Sequence, residues 1–391
     1  MKYNFDHVPA RRSLGASQKW TFFPKDVLPM WIADMDFSAP PPILEALQKF
    51  VEHGDLGYSL PSIKLYETLA ARLHKLHGWD IAPDMIVPIP GVNSGYNVAA
   101  RTFCTPERGY LIQTPVYNEF HETRTKTGVP QVASPLARKV DGNRIEYEID
   151  FDRFERDASK VSMFLLCNPH NPIGSIHSPE ELKRMARICI ENDVLIVSDE
   201  IHSEILLGDS QFQPIARLSR EIEKRTITLI SASKAYNVPG LFSAFAVIPN
   251  RKLRKRYAET VFKKGLHLAS PGLVATRVAY SGQCDAWLKE LRSYLIGNRD
   301  FLVEYVNRHF PSMRITIPEA TYLAWMDCAE LNLKPSPCEF FLTEAKVALG
   351  EGSKFGKDSK QFVRLNFGTS RKNLKEGLDR MRKALRVSHL V

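Results

Sequence analysis

Residues 161–202 read VSMFLLCNPHNPIGSIHSPEELKRMARICIENDVLIVSDEIH, and this stretch decides the fold. It opens on a short apolar strand and turns through two Asn-Pro pairs and a glycine. Order resumes at Ser178-Pro179-Glu180-Glu181. An N-cap serine, a proline at the first helical position and a glutamate at the third make a capping box with a pre-set first turn. The helix it opens carries Leu182, Met185, Ala186 and Cys189 on one face. That helix hands the chain to VLIVSDE, a near-continuous apolar strand of the kind buried on both sides.

The same rhythm runs outward in both directions. Upstream, MIVPIPG (85–91) reads as a strand, VNSGYNVAARTF (92–103) as a helix and YLIQTP (110–115) as a strand. Downstream, TITLISASK (226–234) and AFAVIP (244–249) supply two more strands. Apolar strands between amphipathic helices predict an α/β fold, a mostly parallel sheet with helices on both faces. Before this region the first 40 residues read as irregular, ending at Pro40-Pro41-Pro42. Two helices follow: ILEALQKFVEH, ending at Gly54, and a second near 62–77. The second has Leu65, Leu69, Leu73 and Leu76 on one face and Gly78 as its stop. After about 285 the character changes to a long helical run (286–310), then MRITIP, TYLAWMD, a short helix, FVRLNF and a last helix from about 371. The expected division is a large ligand-binding domain over 45–285 and a smaller α+β domain built from 1–44 and 286–391.

Bulk composition excludes several classes. At 391 residues, with 44% hydrophobic and 25% charged residues, the chain is long for one core and ordinary for a globular enzyme. The net charge of +9 is dispersed. The densest run, Arg251-Lys252-Leu253-Arg254-Lys255-Arg256, reads as the solvated start of a helix, so no nucleic-acid partner is expected. No membrane segment and no secretory leader is read, and the six cysteines form no CxxC pair. A reduced, cytoplasmic protein is the expectation.

Ligands of an open α/β sheet collect outside the carboxyl ends of its strands. Polar residues that directly follow apolar strands are therefore the candidate site. After 85–90 come Gly91-Val92-Asn93-Ser94-Gly95, where free N–H groups at a helix start suit a phosphate, although such a loop is often only a turn. It matches neither GxGxxG nor GxxxxGK[ST]. Asn171 follows one strand, in a position to donate to a ligand oxygen. Asp199 follows the next; a buried carboxylate there needs a partner, which a protonated pyridine nitrogen supplies. Lys234 follows a third and can form an imine with an aldehyde cofactor.

Taken together, NPHNPIG, SDEIH and SASKAYNVPGL resemble, in order and spacing, the fold-type I pyridoxal-phosphate enzymes. WIADMDF (31–37), TPVY (114–117), PEATYLAWMDC (318–328), VALGEGSKFG (347–356) and FVRLNFG (362–368) narrow the resemblance. They are similar to the bacterial cystathionine β-lyase-like branch, the cysteine–sulfur lyase or MalY/PatB group, over nearly the whole chain. The resemblance implies a mostly parallel seven-stranded sheet, pyridoxal 5'-phosphate as cofactor, and a homodimer with shared active sites. It gives Lys234 the Schiff base, Asp199 the pyridine nitrogen and Asn171 the ring hydroxyl oxygen. Tyr117 stacks on the ring. Val92 and Asn93 offer backbone N–H groups to the phosphate, beside the hydroxyls of Ser231 and Ser233, and Tyr58 reaches it from the neighbouring subunit. Arg364 clamps the substrate α-carboxylate, as a bidentate fork suits. His202 stands where aminotransferases of the fold carry tyrosine, which matches the lyase branch.

Three positions depart from the branch: Ser175 where arginine is usual, Ser203-Glu204 after SDEIH, and RLNFGTSR where RLNxACPR is usual. The last lies beside the carboxylate clamp. Phe242 replaces an arginine that many aminotransferases place eight residues after the lysine. The implied reaction is carbon–sulfur β-elimination on cystathionine, a cysteine S-conjugate or a cysteine sulfoxide. It yields a thiol or sulfenic product, pyruvate and ammonia. The alternative is transamination, which shares each step up to the carbanion. Some members of the branch also repress transcription through partner proteins, and a scaffold without activity is a third reading.

Overall fold

The computed structural model describes residues 2–13 and 15–389. Its strands in chain order are β1 (Leu28–Met30), β2 (Ile86–Ile89), β3 (Tyr110–Thr114), β4 (Gln131–Pro135), β5 (Ala137–Asp141), β6 (Arg144–Glu148) and β7 (Met163–Cys167). They continue with β8 (Leu195–Asp199), β9 (Thr226–Ile230), β10 (Ala244–Val247), β11 (Arg314–Ile315), β12 (Leu323–Asp327), β13 (Val347–Glu351) and β14 (Phe362–Asn366).

Two seven-stranded sheets form. The first has the order β2-β10-β9-β8-β7-β3-β4. Its β4, β3, β7, β8 and β9 run parallel, and β10 is antiparallel to both of its neighbours. Every residue of β7, β8 and β9 is buried. Apolar side chains pack on both faces, as the unbroken apolar runs require. On one face, Leu182, Met185, Ala186 and Cys189 meet Phe164, Leu166 and Ile196. On the other, Tyr96, Val98 and Ala99 of the Val92–Phe103 helix meet Leu165, Val197 and Leu229. The mostly parallel sheet is as expected. So is the capping box: the Ser178 hydroxyl accepts from the Glu181 N–H, and the Glu181 carboxylate accepts from the Ser178 N–H.

The second sheet has the order β1-β13-β14-β12-β11-β6-β5. Two of its parts differ from the sequence expectation. The first 40 residues are not wholly irregular, because Leu28–Met30 pairs parallel to Val347–Leu349. Three residues are too few to show a period. The hairpin β5–β6, turning at Gly142 in the left-handed region (φ 54°), also joins this sheet, although it lies inside the 45–285 range. The long helix Asp285–His309 and the last helix, Arg371–Val387, pack together, their Leu295, Leu302, Leu374 and Leu378 buried in one core. No described helix is long and apolar enough to cross a membrane.

Candidate active site

A cavity of about 230 Å3 opens where the first sheet's strands end, lined by Gly91, Asn93, Tyr117, Asn171, Asp199, His202, Ser231, Ser233 and Lys234 among others. Each reaches it for a local reason. Gly91 is the N-cap of the Val92–Phe103 helix and offers no side-chain cap, so the first N–H groups of that helix remain open at the cavity wall. Tyr117 caps the Asn118–Thr127 helix, and its N–H donates to the Asn171 carbonyl at 2.9 Å. Burial raises the Tyr117 hydroxyl pKa, with the Asn93 side chain opposing as a hydrogen-bond partner.

Asp199 ends β8. One of its oxygens accepts from the Ile201 N–H at 3.1 Å, and no cation among the described residues pairs with it. Burial lifts its carboxyl to about 7, against the Ile201 N–H and Lys234, which both favour the charged form. Lys234 follows β9. Its Nζ donates to the Ala33 carbonyl at 2.6 Å. Burial pushes its ammonium down to about 8; Asp34 opposes that shift, Arg364 adds to it and Asp199 opposes it. His202 is buried, and burial holds its imidazole down at about 3, with Lys234 and Arg364 contributing, so it is neutral. Ser231 Oγ donates to the Ser243 carbonyl at 2.7 Å and accepts from the Ser233 N–H at 3.1 Å, which fixes the turn that carries Lys234.

Arg364 lies on β14, in the second sheet. Its Nη1 donates to Asn171 Oδ1 at 3.0 Å and its Nη2 to the Trp31 carbonyl at 2.9 Å, while its buried Nε has no partner among the described residues. Burial lowers it to about 10, which leaves it charged at neutral pH. Tyr58 is not brought to this cavity by its own chain. It projects, fully exposed, from the 54–62 loop.

Sequence reasoning assigned no role to the strap 31–37 that closes one side of the site. Its main chain accepts from Arg364 at Trp31, from Asn366 at Ile32 and Asp34, and from Lys234 and Tyr322 at Ala33. Main-chain carbonyls carry no residue signature. In the sequence the segment stands out only as the motif WIADMDF; in the structure it packs so closely that a Cβ on Gly368 would stand 2.7 Å from Met35 Cγ. Phe242, at φ 45° and largely exposed, lines the cavity where the aminotransferase arginine would stand. Ser175 lies elsewhere, on a separate cavity with Tyr147 and His177.

A buried carboxylate without a counter-cation, open helix N–H groups and a half-buried lysine within one cavity fit a phosphorylated aldehyde bearing a basic ring nitrogen. The chain belongs to the aminotransferase class I and II family, whose model matches residues 25–381. Its architecture is that of the fold-type I pyridoxal-phosphate enzymes. Over 392 residues it is 36% identical to cystathionine beta-lyase PatB of Bacillus subtilis (strain 168), covering 98% of this chain and 100% of that one. Cystalysin from Treponema denticola, solved with pyridoxal 5'-phosphate, superposes with a TM-score of 0.94 at 28% identity, covering 99% and 100% of the two chains. The PLP-bound C-S lyase from Staphylococcus hominis gives a TM-score of 0.91 at 30% identity, covering 98% of each.

Proposed function

We propose that this chain is a pyridoxal-phosphate-dependent carbon–sulfur β-lyase that cleaves cystathionine or a related cysteine S-conjugate or sulfoxide. The observation that carries the reading is full-length likeness to C–S lyases, joined to a cavity lined by Lys234, Asp199 and Asn171, with Arg364 hydrogen-bonded to that Asn171. Bound there, pyridoxal phosphate supplies an electron sink for a carbanion at the substrate Cα. Lys234 would hold the cofactor, and as a free amine it would take the Cα proton; its lowered pKa leaves much of it neutral near pH 8. Asp199 would pair with the ring nitrogen and favour its protonated form. Asn171 would donate to the ring oxygen through its amide nitrogen, its Oδ1 being taken by Arg364. Arg364 grips the α-carboxylate. Breaking the Cβ–S bond would release a thiolate, or a sulfenate from a sulfoxide, and hydrolysis of the remaining aminoacrylate would give pyruvate and ammonia.

The cofactor phosphate is assigned to the N–H groups of Val92 and Asn93 and to the Ser231 and Ser233 side chains. Tyr58 of a second copy completes it. Exposed Leu56, Tyr58 and Leu60 on the 54–62 loop support a homodimer through that face. The free cysteines support a cytoplasmic setting.

The experiment is a panel of cysteine thioethers, cysteine sulfoxides and unactivated amino acids, each with and without a 2-oxo acid. Pyruvate and ammonia from sulfur substrates without an acceptor are expected. Turnover only when a 2-oxo acid is supplied would replace the lyase with an aminotransferase.

A further inference from the structure

Three residues after Lys234, Asn237 adopts the left-handed conformation at φ 54°. Non-glycine residues rarely sit there, and asparagine is among those that tolerate it. The side chain is fully engaged. Oδ1 accepts from the Met35 N–H at 3.1 Å, and Nδ2 donates to the Met35 carbonyl at 3.0 Å and the Phe37 carbonyl at 2.7 Å. One acceptor and two donors are what a carboxamide offers, and this geometry uses all three groups. Arg11 Nη2 donates to the same two carbonyls.

The consequence falls on Lys234. Ala33, two residues before Met35, is the carbonyl that receives Lys234 Nζ, and Tyr322 Oη donates to it as well at 2.9 Å. A single turn of chain thus holds the strap twice, through Lys234 at Ala33 and through Asn237 at Met35 and Phe37. We propose that Asn237 is a positioning residue: by clamping Met35 and Phe37 it fixes the Ala33 carbonyl that aims the Lys234 amine. The proposal rests on Lys234 acting as the base of the proposed reaction. A base must stay within hydrogen-bond reach of the proton it takes, and misplacement by 1 Å costs on the order of 100-fold in rate.

Asn237→Gly separates the clamp from the backbone, because glycine keeps the left-handed conformation and removes the carboxamide. Asn237→Asp keeps the acceptor for Met35 N–H and sets a carboxylate against two carbonyls. Arg11→Met removes the second donor to these carbonyls, together with the Arg11–Asp34 ion pair, and changes no residue of the Lys234 turn. For Asn237→Gly we expect amide exchange in the 33–38 peptide to quicken about tenfold or more in the cofactor-free protein. With the cofactor, kcat is expected to fall by on the order of 100-fold while KM changes by less than about threefold. Asn237→Asp should not rescue it, and Arg11→Met should show the same pattern, weaker. Exchange unchanged, or quickened with kcat intact in both Asn237→Gly and Arg11→Met, would overturn the proposal. Exchange reports the clamp without turnover, so a failed lyase assignment leaves that result standing and is told apart by the product panel.

Discussion

Arg364 and Asn171 meet through one hydrogen bond, Nη1 to Oδ1 at 3.0 Å, between residues 193 positions apart. The bond joins the second sheet to the turn after β7. It orients the asparagine amide, and it holds the guanidinium in a buried setting where Nε still lacks a partner. A substrate carboxylate would complete that set of donors.

Arg364→Ala should therefore lower kcat/KM by about 2–5 kcal/mol, mostly through KM, as loss of a buried charged partner does. Arg364→Lys should recover only part, since an ammonium lacks the planar fork. Steady-state kinetics on a cysteine thioether check both. Unchanged kinetics would mean that the carboxylate is held elsewhere.

The rate at which cofactor-free protein captures pyridoxal phosphate should rise with pH, with a midpoint near 8, because only the neutral Lys234 amine attacks an aldehyde. Asp34 opposes the depression, so Asp34→Asn should move that midpoint down. Stopped-flow absorbance gives the profile. A midpoint near the ordinary lysine value would show that Lys234 is not held as the structure has it.

Asp199 sets a stability slope. Its folded carboxyl lies above the ordinary carboxylate range, at about 7. The stability it contributes is thus fully present at low pH and is lost as pH rises through that value. In urea unfolding of the cofactor-free protein the wild type should lose stability relative to Asp199→Asn between about pH 4 and 7, because Glu200 and the buried His77, His170, His177 and His202, which titrate in or near that window, are common to both. An identical slope in the variant would contradict the assignment.

Tyr58→Phe should weaken cofactor retention without lowering the melting temperature of the cofactor-free protein, because Tyr58 makes no contact that holds its own subunit. Dialysis against buffer, followed by absorbance, reads retention. Sedimentation should give a dimer for both proteins; a fully active monomer would remove Tyr58 from the site.

What was legible in the sequence was local. The capping box at Ser178–Glu181, the left-handed stops at Gly54 and Gly78, and the apolar strands each announce themselves within a few residues. Residues at the strand ends could be read because the parallel sheet dictates where its ligands lie. The β5–β6 hairpin had a readable turn at Asp141-Gly142, but nothing local says which sheet a hairpin joins. The strap was hidden for a different reason. Its contacts run from Asn237 to Met35 across 202 positions and end on main-chain oxygens, which no periodicity or motif reports. Tyr58 is the converse case: the role proposed for it depends on a second copy, so neither its own loop nor its own chain's cavity bears on it.

Lys234 is the residue proposed to hold the cofactor, and one measurement reaches that directly. The holoenzyme is reduced with borohydride, digested, and its peptides are weighed. The expected result is one phosphopyridoxyl adduct, on Lys234, in the peptide spanning 231–240, and none in Lys234→Ala. An adduct on another lysine, or cofactor lost on denaturation after reduction, would contradict the account.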